Sequence, residues 1–357
     1  VIYEVPKITG RLQKRLDRLA KLSLAVGDRL DRPARWVGAL RREVRASAIE
    51  SSTSIEGFSV GPGEAVALTG GEDPGTSENR LAVAGYARAM DHVGVLTADP
   101  AFRWSDRVIL DLHFDACHFQ RDRNPGSWRT GPVGVTGADG SLEFRGPDAE
   151  SVPGLMKEVI EWLEHGDSDA DVFVRAAMAH LHVTSVHPFR DGNGRVSRIV
   201  QSLVLARGGM TSPEFFSIEE HLGSNTAAYY AALRNVQRGA YNPERDASEW
   251  IGFCIEAHIS QAEQRGRQIE AAADRWERLE ALVEARRWPE RLVIAMEQSL
   301  MGGVDRRSYG EEAGVSPATA SGDFRRLVDA GLVEQLGRGR NIRYEASSDL
   351  QSVIAPA

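Results

Sequence analysis

The chain has 357 residues, enough for two or three domains, and its 42% hydrophobic and 26% charged residues are ordinary for a globular protein. A net charge of −8 argues against general nucleic-acid binding, and no apolar run approaches the roughly 18 residues needed to cross a bilayer, so no membrane partner is expected. Only Cys117 and Cys254 are present and the start, Val1-Ile2-Tyr3-Glu4, carries no signal-peptide pattern. Both features point to a reducing cytoplasmic location, with an N-terminus that is trimmed because it lacks Met.

Helical spacing dominates the chain. Leu12, Leu16, Leu19, Leu22 and Leu24 predict a helix over Ile8–Leu30. A second is expected from about Trp36 to Ile55, ended by Gly57 and the Pro/Gly segment after it. Helices over Ser77–Leu96 and Ser105–Cys117 follow. Val133–Thr136 and Leu142–Arg145 then alternate as two short strands across Ala138-Asp139-Gly140, a hairpin signal. Helices resume over Val152–His165 and Asp171–Ser185, then Asn225–Arg238, then Ala247 to about Arg287.

The C-terminal part has a different rhythm. Arg291–Leu300, Tyr309–Ala313 and Pro317–Ala330 read as three short helices, the last with Ser316 as N-cap, Pro317 at N1 and Gly331 after its end. Strands Leu332–Gln335 and Asn341–Ala346 follow. That order is the shape of a winged helix-turn-helix. Arg325, Arg326, Arg338, Arg340 and Arg343 are its candidate DNA-phosphate contacts. Glu311, Glu312, Asp323, Asp329 and Glu334 largely cancel them, and the helix opening Pro317-Ala318-Thr319-Ala320-Ser321-Gly322 offers no Arg, Asn or Gln to base edges. A protein-docking or dimerising role, with a homodimer as a candidate assembly, is favoured over DNA.

The most informative stretch is His187-Pro188-Phe189-Arg190-Asp191-Gly192-Asn193-Gly194-Arg195-Val196-Ser197-Arg198. Gly192 and Gly194 allow a tight turn that brings backbone N–H groups near an anion. Val196, Ile199, Val200, Leu203 and Val204 predict a helix that stops at Gly208-Gly209, so the loop ends at a helix N-terminus suited to phosphate. Arg195 and Arg198 lie one turn apart on it. Asp191 is placed to hold Mg²⁺, and His187 to take a proton from an attacking hydroxyl. His180 and His182 do not share a helix face, so a metal pair between them is not expected.

This stretch resembles the signature of the Fic family, His-Pro-Phe-x-Asp/Glu-Gly-Asn-Gly-Arg-x-x-Arg, at every defined position. The resemblance implies transfer of AMP from ATP onto a hydroxyl of a target protein, the chain itself included. Gly194 favours this branch over the phosphorylating Doc branch. Asn193 is expected to orient the α-phosphate, Arg195 and Arg198 to bind the β- and γ-phosphates, and Phe189 to anchor the loop. The resemblance gives three further elements. Ser52, Glu56 and Gly57 match an inhibitory helix end whose Glu pairs with the second signature arginine, here Arg198, in a bidentate contact. The hairpin, with Val133, Gly134, Val135, Thr136, Leu142, Glu143 and Phe144, corresponds to a flap that docks target strands by β-addition. Tyr229 and Tyr230 are candidates for the adenine wall, and Trp128, in a Pro-Gly-x-Trp-Arg pattern with Arg129, for a structural anchor.

The expected fold is therefore mostly α: a Fic-type bundle with a short hairpin flap and a C-terminal winged helix-turn-helix. Residues 1–100 would form the helical region with an inhibitory helix at about 36–57, residues 101–245 the catalytic core, 246–287 a linker helix and 288–357 the winged helix. Two rivals accompany this expectation: removal of AMP with Glu56 positioning a water, and a nucleotide-sensing DNA-binding regulator.

Overall fold

The computed structural model describes residues 1–30, 36–137, 140–339 and 342–355. Ala138 and Asp139 of the hairpin turn, Arg340, and the expected strand start Asn341 lie outside them. The chain forms two compact units, one of Val1–Gly27 with Val44–Arg265, the other of Asp28–Glu43 with Gly266–Ala357.

From its start the chain runs through α1 (Arg11–Leu30), α2 (Trp36–Ser54), α3 (Pro62–Thr69), α4 (Glu78–Ala98) and α5 (Asp106–Cys117); the end of α1, the start of α2 and the end of α12 below belong to the second unit. The hairpin β1 (Gly134–Thr136) and β2 (Leu142–Arg145) follows. Then come α6 (Val152–His165), α7 (Val172–Val186), α8 (Asn193–Arg207), the short α9 (Pro213–Phe216) and α10 (Glu219–Ser224), α11 (Thr226–Gln237) and the long α12 (Ser248–Ala285). Two helices of the first unit are capped by side chains: Ser105 caps α5 by accepting from the Val108 amide, and Asp171 caps α7 through Phe173. In α1, Leu16 and Leu19 are buried as their spacing requires, but Leu24 is 66% exposed. The Pro/Gly segment after Gly57 does more than end α2. Gly61 and Pro62 take the N-cap and N1 positions of α3, a helix too short for its apolar period to stand out.

α7 and α8 form the centre. From Phe173 to Val186 every residue of α7 except Arg175 is buried, and α8 is buried from Arg195 to Ala206. The apolar stripe of α8 is thus only part of its buried surface. Its polar residues are inside because each finds a partner: Ser197 with the Thr184 hydroxyl (2.7 Å), Gln201 with His180 (2.6 Å), and Arg198 with Ser52 (2.7 Å). Trp250 of α12 closes the core and donates to the Ala177 carbonyl at 2.7 Å.

The second unit comprises α13 (Leu292–Leu300), α14 (Arg306–Ala313), α15 (Pro317–Asp329), the antiparallel pair β3 (Val333–Leu336) and β4 (Arg343–Ala346), and α16 (Ser348–Ile354). Tyr309, Phe324 and Tyr344 pack its core, with Phe324 and Tyr344 stacked at 4.0 Å. One charge expected at the surface is internal. Asp323 is buried, accepting two bonds from Arg291 (2.7 and 2.9 Å) and one from the Tyr309 hydroxyl, so it does not offset the exposed Arg325 and Arg326.

Three buried histidines, His180, His182 and His258, have their pKa values lowered by burial to about 3. His182 packs between Tyr3 and Trp162, and its ring nitrogens meet no partner. Because each folded value lies below the ordinary 6.5, the unfolded chain takes up these protons first as pH falls, and stability declines from pH 6.5 toward 3. Between pH 7 and 5.5 each of these histidines should remove about 1 kcal/mol of unfolding free energy. Urea denaturation at the two pH values measures this, and His182→Leu should flatten the loss by roughly one proton's worth. An acid-insensitive midpoint would show that these rings protonate in the folded state.

Candidate active site

α7 ends at His187, whose backbone turns left-handed with φ +50° while its amide still reaches the Val183 carbonyl. Nδ1 lies 3.0 Å from the Thr184 carbonyl. A carbonyl only accepts, so Nδ1 carries the proton and Nε2 keeps its lone pair. Burial, the largest influence, lowers the imidazole pKa below its ordinary value, and the Thr184 bond opposes this only in part. His187 is therefore a neutral base at neutral pH.

The loop that follows is held from inside. Phe189 stacks on His113, with ring centroids 3.6 Å apart and planes at 11°, and tilts against Trp128 at 5.1 Å. Its backbone N–H donates to Asn193 Oδ1 (2.8 Å) and its carbonyl accepts from Asn193 Nδ2 (2.9 Å). Asn193, expected at the α-phosphate, thus spends its side chain closing the loop. His113 accepts from the Gly126 amide at Nδ1 (2.8 Å), which makes Nε2 the donor to the Asp191 carbonyl (3.0 Å). Burial holds its pKa at about 4, so this neutral form persists.

The two glycines answer to close neighbours. Gly192 has φ +76°, and a Cβ there would sit 2.4 Å from Cys117 Sγ. At Gly194 a Cβ would meet Glu56 Oε1 at 2.3 Å. The first helical bond of α8 runs from Val196 to Gly192, so the amides ahead of it have no acceptor within the helix. That is the anion-attracting end the sequence predicts.

Asp191 stands at the mouth of this end with 38% of its side chain exposed. Its Oδ1 accepts from the Gly192 amide (2.6 Å) and its Oδ2 from Gln120 Nε2 (3.0 Å). Gln120 also accepts from Arg195 Nη2 at 2.7 Å. Arg195 itself is fully buried between Phe58 and Phe119, 5.4 and 5.6 Å from their ring centres. It lies beneath the loop and is absent from the cavity lining, contrary to its expected place on the phosphates.

Arg198 is buried as well. Its Nε donates to the Ser52 hydroxyl (2.7 Å), and its Nη2 to the Ser52 carbonyl (3.0 Å) and to Glu56 Oε1 (2.9 Å). The ion pair has one contact and not the expected two: Ser52 takes Nε and shares Nη2, and Nη1 meets no partner. Gly57, with φ +87°, turns the chain just past Glu56.

A cavity of about 340 Å³ opens over these groups, with His187, Asp191, Gly194, Glu56, Phe144 and Tyr230 in its wall. Tyr229 also borders it, but its ring is buried and its hydroxyl is bonded to His180 Nε2 at 2.9 Å, which makes it a core residue. Tyr230 is the more accessible ring. In the hairpin, Gly134 faces Arg145 and Val135 faces Phe144. Phe144 is buried with its ring 5.8 Å from that of His187, so it supports the base and is not free to dock a target. Leu142 is 60% exposed and outside the cavity. The Arg145 amide donates to Gly239, so the edge left for an added strand is that of β1, Gly134–Thr136; Val133 is not on it, because its carbonyl accepts from the Gly146 amide at 3.1 Å. Glu143 is tied to Arg234 at 3.1 Å.

Among the described residues no group of three His, Cys, Asp or Glu side chains could enclose a metal. A single, partly exposed carboxylate braced by two donors still fits a hard cation that takes its remaining oxygens from phosphate and water.

The contacts of Arg129 are what the sequence pattern does not reveal. The side chain is buried, and donates to the carbonyls of His187 (2.8 Å), Gly131 (2.9 Å) and Pro147 (2.6 Å). It ties the base to both ends of the flap.

Residues 104–205 match the Fic/DOC family model. A protein of Aquifex aeolicus named as a probable protein adenylyltransferase is 30% identical over 116 residues, covering 32% of this chain and 32% of its own. A protein adenylyltransferase of Caenorhabditis elegans is 28% identical over 224 residues, 57% of this chain and 40% of its own. The chain thus spans less than half the length of these two relatives. The crystal structure of a Fic family protein from Desulfovibrio desulfuricans superposes with a TM-score of 0.61 at 17% identity, covering 97% of this chain and 99% of the other. The fold is mostly helical and shared with Fic proteins. Residues 104–205 thus carry the likeness to the Fic/DOC family, and the chain shares its fold with Fic proteins.

Arg129→Met would leave three carbonyls without their charged donor. Unmet buried acceptors cost roughly 1–3 kcal/mol each, so a loss of at least about 2 kcal/mol is expected. Thermal denaturation and hydrogen exchange at the flap amides would register it. Unchanged exchange at β1 would show that the flap is held by other contacts.

Proposed function

We propose that this chain transfers AMP from ATP to a Ser, Thr or Tyr hydroxyl of a target protein, itself included, and that Glu56 holds it in check. The observation that carries the reading is the tautomer of His187: its lone pair sits in the wall of the same cavity as the helix N-terminus, Asp191 and Glu56. His187 Nε2 would remove the hydroxyl proton as that oxygen attacks the α-phosphorus. The bond to the bridging oxygen breaks, and pyrophosphate leaves. The amides at Gly192–Gly194 would face the phosphates. Mg²⁺, held by Asp191 together with phosphate oxygens, would offset their charge. Arg198 would grip the terminal phosphate once free of Glu56.

The inhibitory reading is supported by the Arg198–Glu56 contact at 2.9 Å and by the packing of the same carboxylate on Gly194. A carboxylate there neutralises Arg198 and repels a phosphate. Glu56 and His187 share one cavity, which also supports a second reading, removal of AMP with a water placed by Glu56. The division into helical region, core, linker helix and winged helix belongs to the proposal. So does a docking or dimerising role for the C-terminal unit in preference to DNA binding.

Incubation with ATP labelled at the α- or the γ-phosphate decides the reaction. Label on protein from the α position alone is expected, and γ-label on protein would mean phosphorylation. His187→Ala should abolish labelling while ATP still binds. In wild type the acid limb of the rate should have its midpoint below 6.5, since burial lowers the His187 pKa and the base is lost only as pH falls through that value. A midpoint above 6.5 would assign that limb to another group.

Glu56→Gly should raise self-labelling strongly, whereas Arg198→Ala should not, and the double variant should behave like Arg198→Ala. Truncating one partner of such a buried pair is worth roughly 2–5 kcal/mol, so the change should be tens-fold or more. Activation that survives in the double variant would remove Arg198 from the account.

A further inference from the structure

A second groove in the first unit does not contain His187. It has a volume of about 900 Å³ and lies beside the signature loop. Its walls carry Arg121, Arg123, Arg190 and His118, with Phe114 and Trp128 as apolar surface, and no carboxylate lines it. In a chain of net charge −8 this is a local reversal of sign. The three arginines are exposed; the Asp122 carboxylate pairs with Arg123 at 3.3 Å, and its carbonyl accepts from Arg190 Nη1 at 3.3 Å. Arg129 adds a fourth positive charge from the floor while its donors hold the carbonyls described above. Phe114 is 48% exposed, unusual for so large a ring.

Position gives the groove its meaning. Arg190 is the free position of the signature, between Phe189 and Asp191. On the opposite side the wall is formed by Thr130, Gly131 and Pro132, the residues that lead directly into the open edge of β1. A polypeptide added along that edge would run off its end into the basic groove.

We infer that this groove docks an acidic segment of the target polypeptide, flanking the hydroxyl-bearing residues laid along β1. The inference rests on the transfer reading above and deepens it: the flap would bind main chain with little regard to sequence, and the groove would select targets with Asp or Glu beside the modified site. Opposite charge gathers such targets before the strand forms.

The probe is a short fluorescein-labelled peptide of alternating Glu and Thr, titrated with the full chain and followed by anisotropy. Binding is expected, and the same peptide with Lys for Glu should not bind. Arg121→Glu with Arg123→Glu should weaken it about tenfold, since exposed pairs are worth roughly 0.2–1 kcal/mol each and reversal adds repulsion. Raising salt should do the same. Arg121→Gln with Arg123→Gln gives a smaller loss in the same direction and serves if the reversed pair unfolds. Equal affinity for wild type and both variants overturns the proposal. So does a labelled single-stranded oligonucleotide that binds more tightly than the peptide and is lost in the same variants. Peptide binding needs no AMP transfer, so the two readings can fail separately. Groove-dependent binding by a chain that labels nothing from α-labelled ATP removes the transfer reading. Self-labelling without groove-dependent binding removes the docking site alone.

Discussion

A guanidinium buried in the middle of a helical bundle has to be met by charge, and Arg198 is that group. It projects from α8, whose surroundings are closed on nearly every side, and its face is filled by Ser52 and Glu56 from the end of α2. Burying a cation without a partner costs several kcal/mol, so this position demands an anion at all times. In the protein alone the anion is Glu56. On the transfer reading a nucleotide phosphate takes over, and the two are mutually exclusive because Glu56 Oε1 also rests on Gly194 at the mouth of α8. On that reading the competition would lie in the electrostatics of one side chain.

The remaining parts of the site are arranged so that its reactive atoms have little freedom. Asn193 locks Phe189, Phe189 lies on His113, and His113 holds the Asp191 carbonyl. Gln120 joins the Asp191 carboxylate to Arg195, and Arg129 fixes the His187 carbonyl to the base of the flap. Each link uses a polar atom that would otherwise be unsatisfied in a buried place. The loop is thus preorganised before any ligand arrives, which is the condition for electrostatic catalysis to be effective.

The contiguous part of this was legible in the sequence. The signature, the helix after it, the Ser316 cap of α15 and the hairpin strands all depend on neighbours a few residues apart, and the spacing carries them. The partners at long range were not. His113 and Gln120 act on Asp191 from more than 70 residues away, and nothing in the local pattern at 113 or 120 distinguishes them from helix-end polar residues. Asn193 resembled a ligand because it is polar and sits in an anion loop. Only the position of the Phe189 backbone shows that its amide is already committed. Asp323 resembled a surface charge because its helix is otherwise exposed at charged positions, whereas Arg291 and Tyr309 draw it inward.

The two signature arginines show how spacing alone can mislead. Three residues apart on a helix, they are neighbours, but their axial directions differ by about 60°, since each residue turns the chain by about 100°. That offset sends Arg198 toward α2 and Arg195 toward the end of α5. There Phe58 and Phe119 enclose the Arg195 guanidinium, and two of its nitrogens, Nε and Nη1, have no hydrogen-bond partner. Phe58 follows Glu56 by two residues, so one short segment covers both arginines, Glu56 by charge and Phe58 by its ring. A displacement of that segment large enough to free Arg198 would also uncover the face of Arg195.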